Sequence, residues 1–302
     1  MATPFLDSLL PERPRAPLYH YTTPAGLIGI VESKSLWASG IQYLNDTAEY
    51  KHATSLAMHL LRQKLENDRD PWNDLCRMIL KGEPFYQDRT VFVGSLSEAK
   101  DKLSQWRAYC PNGGGFSIGF APELIERQAR KQGFELLKCQ YEPIKQEAIC
   151  AKLIAYGCTA AEKIQADDLR GRPVQPERNE KDDQKSAQTA GIFLGFVEPL
   201  MHIAPALKNP SFEEEREWRI VRDLGPFAEP YSNIHFRPGK YAVIPYLEFA
   251  LAEENSPLDV EEIIIGPSPD PDQTRKSVEY LVNKRGVRCK EIREYSGTYR
   301  SW

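Results

Sequence analysis

The segment from Phe212 to Val221 holds the densest set of side chains that could do chemistry. Side chains alternate between the faces of a strand, so Glu215, Glu217 and Arg219 share one face if this segment is extended. Two carboxylates about 7 Å apart repel each other unless a cation offsets them, and Arg219 can neutralise one. The other can then stabilise developing positive charge or act as a base. A solvated strand face with an ion pair explains the same spacing.

A histidine in the first predicted strand is the second candidate. His20 lies between Tyr19 and Tyr21 and shares a strand face with Thr22. The simpler interpretation is a hydrogen-bonded core histidine. The functional interpretation makes His20 a donor to a ribose hydroxyl or a carboxamide, with Tyr21 and Thr22 beside it in the same site. Convergence with other polar residues in space would favour the functional interpretation.

Two serines and two aromatic residues follow in the next part of the chain. Ser95 and Ser97 share a face of a predicted strand, and Trp106 and Tyr109 come soon after it. Aromatic side chains in this position can form a wall on which a planar ring stacks, although burial in the core is the commoner role. These four residues are therefore candidate ligand contacts.

Asn45 and Asp46 form a turn that leads into a helix, and Asp46 is a suitable helix cap. The alternative interpretation gives both side chains hydrogen bonds to a substrate.

No cysteine or carboxylate joins His52 and His59 at ligand spacing, so we expect no metal. The chain contains no glycine-rich dinucleotide or phosphate motif.

Composition limits the class of protein. The chain has 302 residues, 41% of them hydrophobic, which supports one core with a large insertion. A formal net charge of -4 gives no general reason to bind nucleic acid or an anionic membrane. The six cysteines form no CxxC pair, and we recognise no signal peptide or membrane span. We therefore expect a cytoplasmic protein with reduced thiols.

Hydrophobic periodicity and turn residues predict the elements that position these side chains. Strands are predicted at 18–22, 36–38, 90–97, 116–120, 134–141, 215–223, 241–245, 261–266 and 287–295. Residues 1–16 are predicted to form a loose arm, and residues 17–302 a single domain with a helical insertion at about 144–208. Strands and helices do not alternate regularly, so we predict an α+β fold with a mixed, mostly antiparallel central sheet and flanking helices.

The order of several short segments resembles a bacterial family catalogued as domain of unknown function 2971. These segments are Tyr19–Thr22, Leu36–Ser39, Leu44–Glu49, Ser95–Ser97, Gln105–Tyr109, Gly115–Phe120, Glu215–Ile220, Ile264–Pro267 and Tyr295–Arg300. The resemblance runs from about residue 17 to residue 300. The family name implies no function.

A second resemblance, to ADP-ribosyltransferase folds, implies one. The similar pattern is a strand histidine followed by spaced apolar residues, here His20, Leu27, Ile30 and Leu36. The resemblance implies that NAD is a substrate and that His20 binds the ribose next to nicotinamide. It also implies that Trp106 or Tyr109 stacks on nicotinamide, and that Glu215 or Glu217 orients the ribose and the transfer.

Three functions stay open at this point. The first is an NAD-dependent ADP-ribosyltransferase or NAD glycohydrolase in bacterial stress or phage defence, with a protein, a nucleic acid or water as acceptor. The second is a non-catalytic module that binds a nucleotide, a nucleic acid or a protein. The third is a metal-independent nuclease or hydrolase that uses His20, Glu215, Glu217 and Arg219. No membrane partner is expected.

Overall fold

The computed structural model describes residues 4–44, 47–66, 73, 76, 77, 80, 91–110, 114–171, 193–225 and 233–297. The helices are α1 (Pro4–Leu9), α2 (Pro24–Ser33), α3 (Thr47–Leu65), α4 (Leu103–Tyr109), α5 (Pro122–Gln132), α6 (Pro143–Gly171), α7 (Glu198–Ile203) and α8 (Pro271–Arg285). The strands are β1 (Leu18–Thr22), β2 (Ser35–Gly40), β3 (Val91–Ser97), β4 (Phe116–Phe120), β5 (Glu135–Lys138), β6 (Glu217–Asp223), β7 (His235–Pro238), β8 (Val243–Ala250), β9 (Asp259–Ile265) and β10 (Arg288–Glu294). Short 3-10 helices span Ile41–Tyr43, Ala204–Ala206 and Pro210–Glu215, and a π-helix spans Phe193–Val197.

The described strands form one ten-stranded sheet in the order β10-β9-β4-β1-β3-β2-β8-β7. Strand β6 lies off this path and pairs with β3 and β5. Strands β9 and β10 pair in parallel, and the other strand pairs are antiparallel. The predicted fold class, α+β with a mixed and mostly antiparallel sheet, is therefore confirmed.

Local sequence explains where several helices begin and end. Thr23 caps α2 because its hydroxyl accepts a hydrogen bond from the backbone N–H of Gly26 at 3.2 Å. Pro24 then occupies the first helical position, where the missing N–H costs nothing. Helix α5 ends at Gly133, which has a positive φ of 71° and so takes the left-handed conformation that glycine favours.

The two faces of the sheet bury different cores. On the first face Val91, Val93 and Val221 pack with helices α3, α6 and α7. On the second face Leu96, Trp218 and Ile220 pack in a core with residues of α2, α5 and α8. We call the first face the site face, because the candidate functional residues of β6 lie on it. The predicted arm contains α1, whose Leu6 and Leu9 are buried in the core of the site face.

Strand β3 is a branch point in the sheet. One of its edges pairs with β6 along the whole strand. The other edge is shared, because Ser97 pairs with Tyr19 of β1, whereas Val93 pairs with Ser39 of β2. The two strands β1 and β2 therefore approach β3 from opposite ends of the same edge.

The strands separate around the middle of β3. Continuing the antiparallel register would bring Tyr21 of β1 opposite Ser95, and it would equally bring Trp37 of β2 opposite Ser95. Neither pair forms among the described residues. We call this opening between β1 and β2 the fork at Ser95.

The element predictions are wrong in two places that bear on the site. Glu215 ends a 3-10 helix, and β6 begins only at Glu217, so the two carboxylates do not share a strand. Arg216 between them has a positive φ of 44°, which turns the chain sharply. Strand β7 was not predicted, and β8 begins at Val243 and extends to Ala250.

Candidate functional site

A cavity opens on the site face near the fork at Ser95. Its empty volume is about 320 Å³, including the space at its open mouth. The lining comes from β1, β3, α4, the end of the 3-10 helix Pro210–Glu215 and the start of β6. The lining residues are Tyr19, His20, Tyr21, Ser95, Leu96, Ser97, Gln105, Tyr109, Glu215 and Glu217. Seven of the sequence-predicted candidates are among them, although they are distant in the chain.

Strand register explains how the floor of the cavity forms. Tyr19, Ser97 and Glu217 lie opposite one another on β1, β3 and β6. Cross-strand partners place their side chains on the same face, so these three residues form one row on the site face. Ser95 is two residues from Ser97 and continues the same face towards the fork.

His20 reaches the cavity by a different route. Alternation along β1 directs its side chain away from the face of Tyr19 and Glu217. At the fork, however, the ring meets β3, and its Nδ1 lies 3.0 Å from the backbone oxygen of Ser95. The imidazole therefore takes the hydrogen bond that continued strand pairing would have given to Ser95.

The protonation state of His20 follows from these surroundings. Burial lowers the pKa of His20, and the hydrogen bond to the Ser95 carbonyl opposes this only in part. A carbonyl oxygen can only accept, so the neutral ring carries its proton on Nδ1 and leaves Nε2 as an acceptor. The predicted role of His20 as a donor is therefore corrected: in this tautomer its remaining nitrogen accepts a hydrogen bond.

Glu217 lies at the centre of a closed ionic cluster. Arg219 donates to both of its carboxylate oxygens, at 2.9 and 3.0 Å, and the Lys208 ammonium is 2.6 Å away. Burial alone would raise the pKa of Glu217, but the charges of Arg219 and Lys208 outweigh it and lower the pKa to about 2. An ionised carboxylate held by two cations is a poor proton acceptor, so Glu217 is not suited to act as a base.

Glu215 differs from Glu217 in its exposure. Its carboxylate also accepts from the Lys208 ammonium, at 2.5 Å, but its side chain is 15% exposed, against 5% for Glu217. Two carboxylates therefore share one lysine, and Glu215 is the one nearer to solvent. Of the two predicted catalytic glutamates, Glu215 is the better placed to meet a ligand.

Helix α4 supplies the wall opposite the strands. Gln105 and Tyr109 are one helical turn apart and both line the cavity. Gln105 is only 4% exposed, and no hydrogen bond of its amide is found within the described residues. Tyr109 is 36% exposed, and burial together with Glu215 and Glu217 raises the pKa of its hydroxyl to about 12. The wall thus offers a neutral amide and a protonated phenol.

Trp106 is corrected from a stacking platform to a core residue. Its side chain is 1% exposed and does not line the cavity. The indole N–H donates to Asp101 at 2.9 Å, and the ring packs edge-on against Tyr21 and Tyr295. These contacts fix α4 against β1, so Trp106 positions Gln105 and Tyr109 without meeting a ligand itself.

The two candidate serines have different surroundings. The Ser97 hydroxyl donates to the Glu215 carbonyl at 2.6 Å and accepts from the Ala99 N–H at 2.9 Å. It therefore holds the turn before β6 in place. The Ser95 side chain lines the cavity, and within the described residues no hydrogen bond of its hydroxyl is found. Ser95 is therefore the serine that a ligand can use.

The other predicted contacts have mixed outcomes. Tyr21 lines the cavity, but its hydroxyl already donates to the Ala99 carbonyl at 2.6 Å. Thr22 is outside the lining and lies against Gly26 at the start of α2. Arg219 is also outside the lining, because its guanidinium is buried against Glu217 and the Pro205 carbonyl. Asn45 and Asp46 lie outside the described residues.

Two important residues were missed from the sequence. Lys208 lies seven residues before Glu215 in an irregular segment, so no periodic signal connects it with the acids. Gln105 could have been found, because a residue four positions before Tyr109 shares its helix face.

In the described parts of the chain no group of three or more histidine, cysteine or acidic side chains is arranged to hold a metal. No helix there is long and apolar enough to cross a bilayer.

The arrangement is thus a mixed α+β fold with a polar cavity at a fork in its sheet. The model of the family described as "Protein of unknown function (DUF2971)" matches residues 105–220. This confirms the resemblance to that family over a segment that includes Gln105, Tyr109, Glu215 and Glu217. No curated protein and no solved structure matches the chain, so nothing there supports the resemblance to ADP-ribosyltransferases.

Proposed function

We propose that the cavity binds the nicotinamide and adjacent ribose of NAD and promotes cleavage of the bond between them. The proposal is supported by one observation above all: His20, Ser95, Tyr109 and Glu215, chosen from the sequence as contacts for this ligand, line one cavity. The enclosed part of the cavity is small, so most of the dinucleotide would lie outside it.

The reaction needs a carboxylate near the ribose. The bond between ribose C1′ and the pyridinium nitrogen breaks, and its electron pair leaves with nicotinamide, which becomes neutral. The ribose is then an oxocarbenium ion, which the Glu215 carboxylate stabilises by its charge. Water, or a hydroxyl of an acceptor, adds to C1′ and loses a proton. With water the products are nicotinamide, ADP-ribose and a proton.

The neutral groups of the cavity suit binding and orientation. The Ser95 hydroxyl and the Nε2 acceptor of His20 can hydrogen-bond ribose hydroxyls. The Gln105 amide carries both a donor and an acceptor, which match those of the nicotinamide carboxamide. The Tyr109 ring offers a partly exposed face against which the pyridinium can stack. Holding the ribose in this way favours attack at C1′.

The proposal is tested by release of nicotinamide from NAD by the purified protein, with and without cell extract as a source of acceptor. We expect Glu215→Gln to reduce the rate by about 100-fold, the usual effect of removing one group that stabilises transition-state charge. Glu214→Gln is the matched control, because Glu214 is the exposed neighbouring residue and does not line the cavity. No release under either condition, or equal rates for the two variants, would refute the proposal.

A non-catalytic binding site is the second candidate, and the closed ionic cluster favours it. Arg219 and Lys208 keep Glu217 ionised with a lowered pKa, so Glu217 is not available as a base. Such a site would raise the melting temperature on adding NAD or ADP-ribose without any turnover. Stabilisation without nicotinamide release would favour this second function over the first.

A further inference from the structure

A cluster of aromatic and cationic side chains lies beside the fork, outside the cavity. We call it the Trp37 surface: Trp37, His235, Arg237 and Tyr246, carried by β2, β7 and β8. The ring of Tyr246 lies 4.6 Å from that of Trp37 and 5.5 Å from that of His235. Trp37 remains 47% exposed although this stack supports it from one side. An exposed indole on a rigid aromatic base is suited to stack on a planar ring.

The Trp37 surface continues the face that contains the cavity. Ser39 pairs with Val93 of β3, so Ser39 and Trp37 both point to the site face. The register of β2 directs Trp37 towards Ser95, which lines the cavity. The two sites are therefore next to each other, on opposite sides of the fork.

Arg237 gives this surface a positive charge. Its guanidinium donates to the Ser39 hydroxyl at 3.1 Å and lies 6.0 Å from the centre of the Trp37 ring. In the described parts of the chain Arg237 makes no ion pair, and its Nε is buried without a hydrogen-bond partner. A nearby carboxylate, Glu248, faces Trp37 from β8. An anionic group would therefore bind on the Arg237 side of the indole.

We propose that the Trp37 surface is a second subsite, for the adenine nucleotide half of the ligand whose nicotinamide half occupies the cavity. The adenine ring stacks on Trp37, and a phosphate pairs with the guanidinium of Arg237. The dinucleotide then spans the fork at Ser95. This inference rests on the proposed function for the identity of the ligand. The class of ligand, a planar ring next to an anionic group, is inferred from Trp37 and Arg237 alone.

The test measures binding of AMP, adenosine and nicotinamide mononucleotide to the full chain by calorimetry. We expect Trp37→Ala to weaken AMP about tenfold or more and to leave nicotinamide mononucleotide nearly unchanged. Arg237→Met should remove the preference for AMP over adenosine, because only AMP carries the phosphate. Glu215→Gln should change nicotinamide mononucleotide binding and not AMP binding.

Tyr280→Ala is the control for loss of an exposed aromatic ring, since Tyr280 is exposed on α8, which packs on the second face. If AMP does not bind, or if Trp37→Ala and Tyr280→Ala affect it equally, the second subsite is refuted even when NAD is cleaved. If AMP binding depends on Trp37 but NAD is not cleaved, the subsite stands and the catalytic proposal fails.

Discussion

Two carboxylates that are neighbours in sequence occupy opposite kinds of environment. Glu217 is buried and held by Arg219 and Lys208, whereas Glu215 shares Lys208 but reaches the cavity from a 3-10 helix. Removing the charge of Glu217 would take away the buried carboxylate that Arg219 and Lys208 both contact, so its role is tied to stability. Glu215 can change partners at lower cost because its side chain is partly exposed. The ionic cluster thus stabilises the fold around the site, and the other residues that line the cavity are available to bind a ligand.

Arg219→Met should give the largest effect and tests the structural half of this comparison. It leaves Glu217 with Lys208 alone and leaves the Pro205 carbonyl without its donor. Breaking a buried ion pair in this way costs about 3–5 kcal/mol. Urea unfolding measures it, with Arg288→Met as the control, because Arg288 pairs with Asp259 on the exposed edge of the sheet. Similar losses in both variants would contradict a structural role for the cluster.

The pH dependence of stability comes next. The pKa of Glu217 is about 2 in the folded protein, below its ordinary value of 4.5. A depressed pKa stabilises the fold above pH 4.5, and this contribution is lost as the pH falls from about 4.5 towards 2. The contribution is about 3 kcal/mol. The unfolding free energy of the wild type should therefore fall more steeply over this range than that of Glu217→Gln, and parallel curves would contradict the prediction.

Ser97 and Ser95 form a matched pair for a smaller effect. Ser97→Ala removes two hydrogen bonds and leaves the Glu215 carbonyl and the Ala99 N–H unpaired. We expect a loss of about 1–3 kcal/mol in unfolding free energy. Ser95→Ala should stay within about 0.5 kcal/mol, since its hydroxyl has no partner among the described residues. Equal losses of unfolding free energy in the two variants would contradict the difference in hydrogen bonding between Ser97 and Ser95.

Gln105→Leu should have the smallest effect on stability and a clear effect on binding. The amide has no hydrogen-bond partner within the described residues, so replacing it with an apolar group of similar size is expected to change the unfolding free energy by less than about 1 kcal/mol. Binding of nicotinamide mononucleotide should weaken because the carboxamide loses its partner. Unchanged binding in a stable variant would remove Gln105 from the site.

Much of the architecture could be predicted from the sequence. The apolar run that opens β3, the alternating apolar residues of β4 and the threonine–proline start of α2 are local signals, and the elements they predict are present. Strand β7 was missed because its four residues include a proline and show no clear alternation. The 3-10 helix before β6 was also missed. A run of glutamates is compatible both with a strand and with the turn before a strand, so it does not show where the strand begins.

The composition of the cavity could be predicted only in part. His20, Ser95 and Tyr109 were chosen by residue type, and the structure brings them together. Strand order decides this, because β1 and β3 are neighbours although more than sixty residues separate them in the chain. The partner of Glu217 could not be predicted, since Lys208 lies in an irregular segment where spacing carries no geometric information.

The most direct measurement follows the side-chain NH2 signals of Gln105 by NMR while nicotinamide mononucleotide is added, with Gln105→Leu used to assign them. The amide lies in the cavity wall without a partner among the described residues, so a ligand carboxamide should bind to it. We predict that both NH2 signals shift and saturate with the ligand, together with the backbone signal of Ser95. If the Gln105 signals do not shift, because the ligand binds at another site or does not bind at all, the proposed site is contradicted.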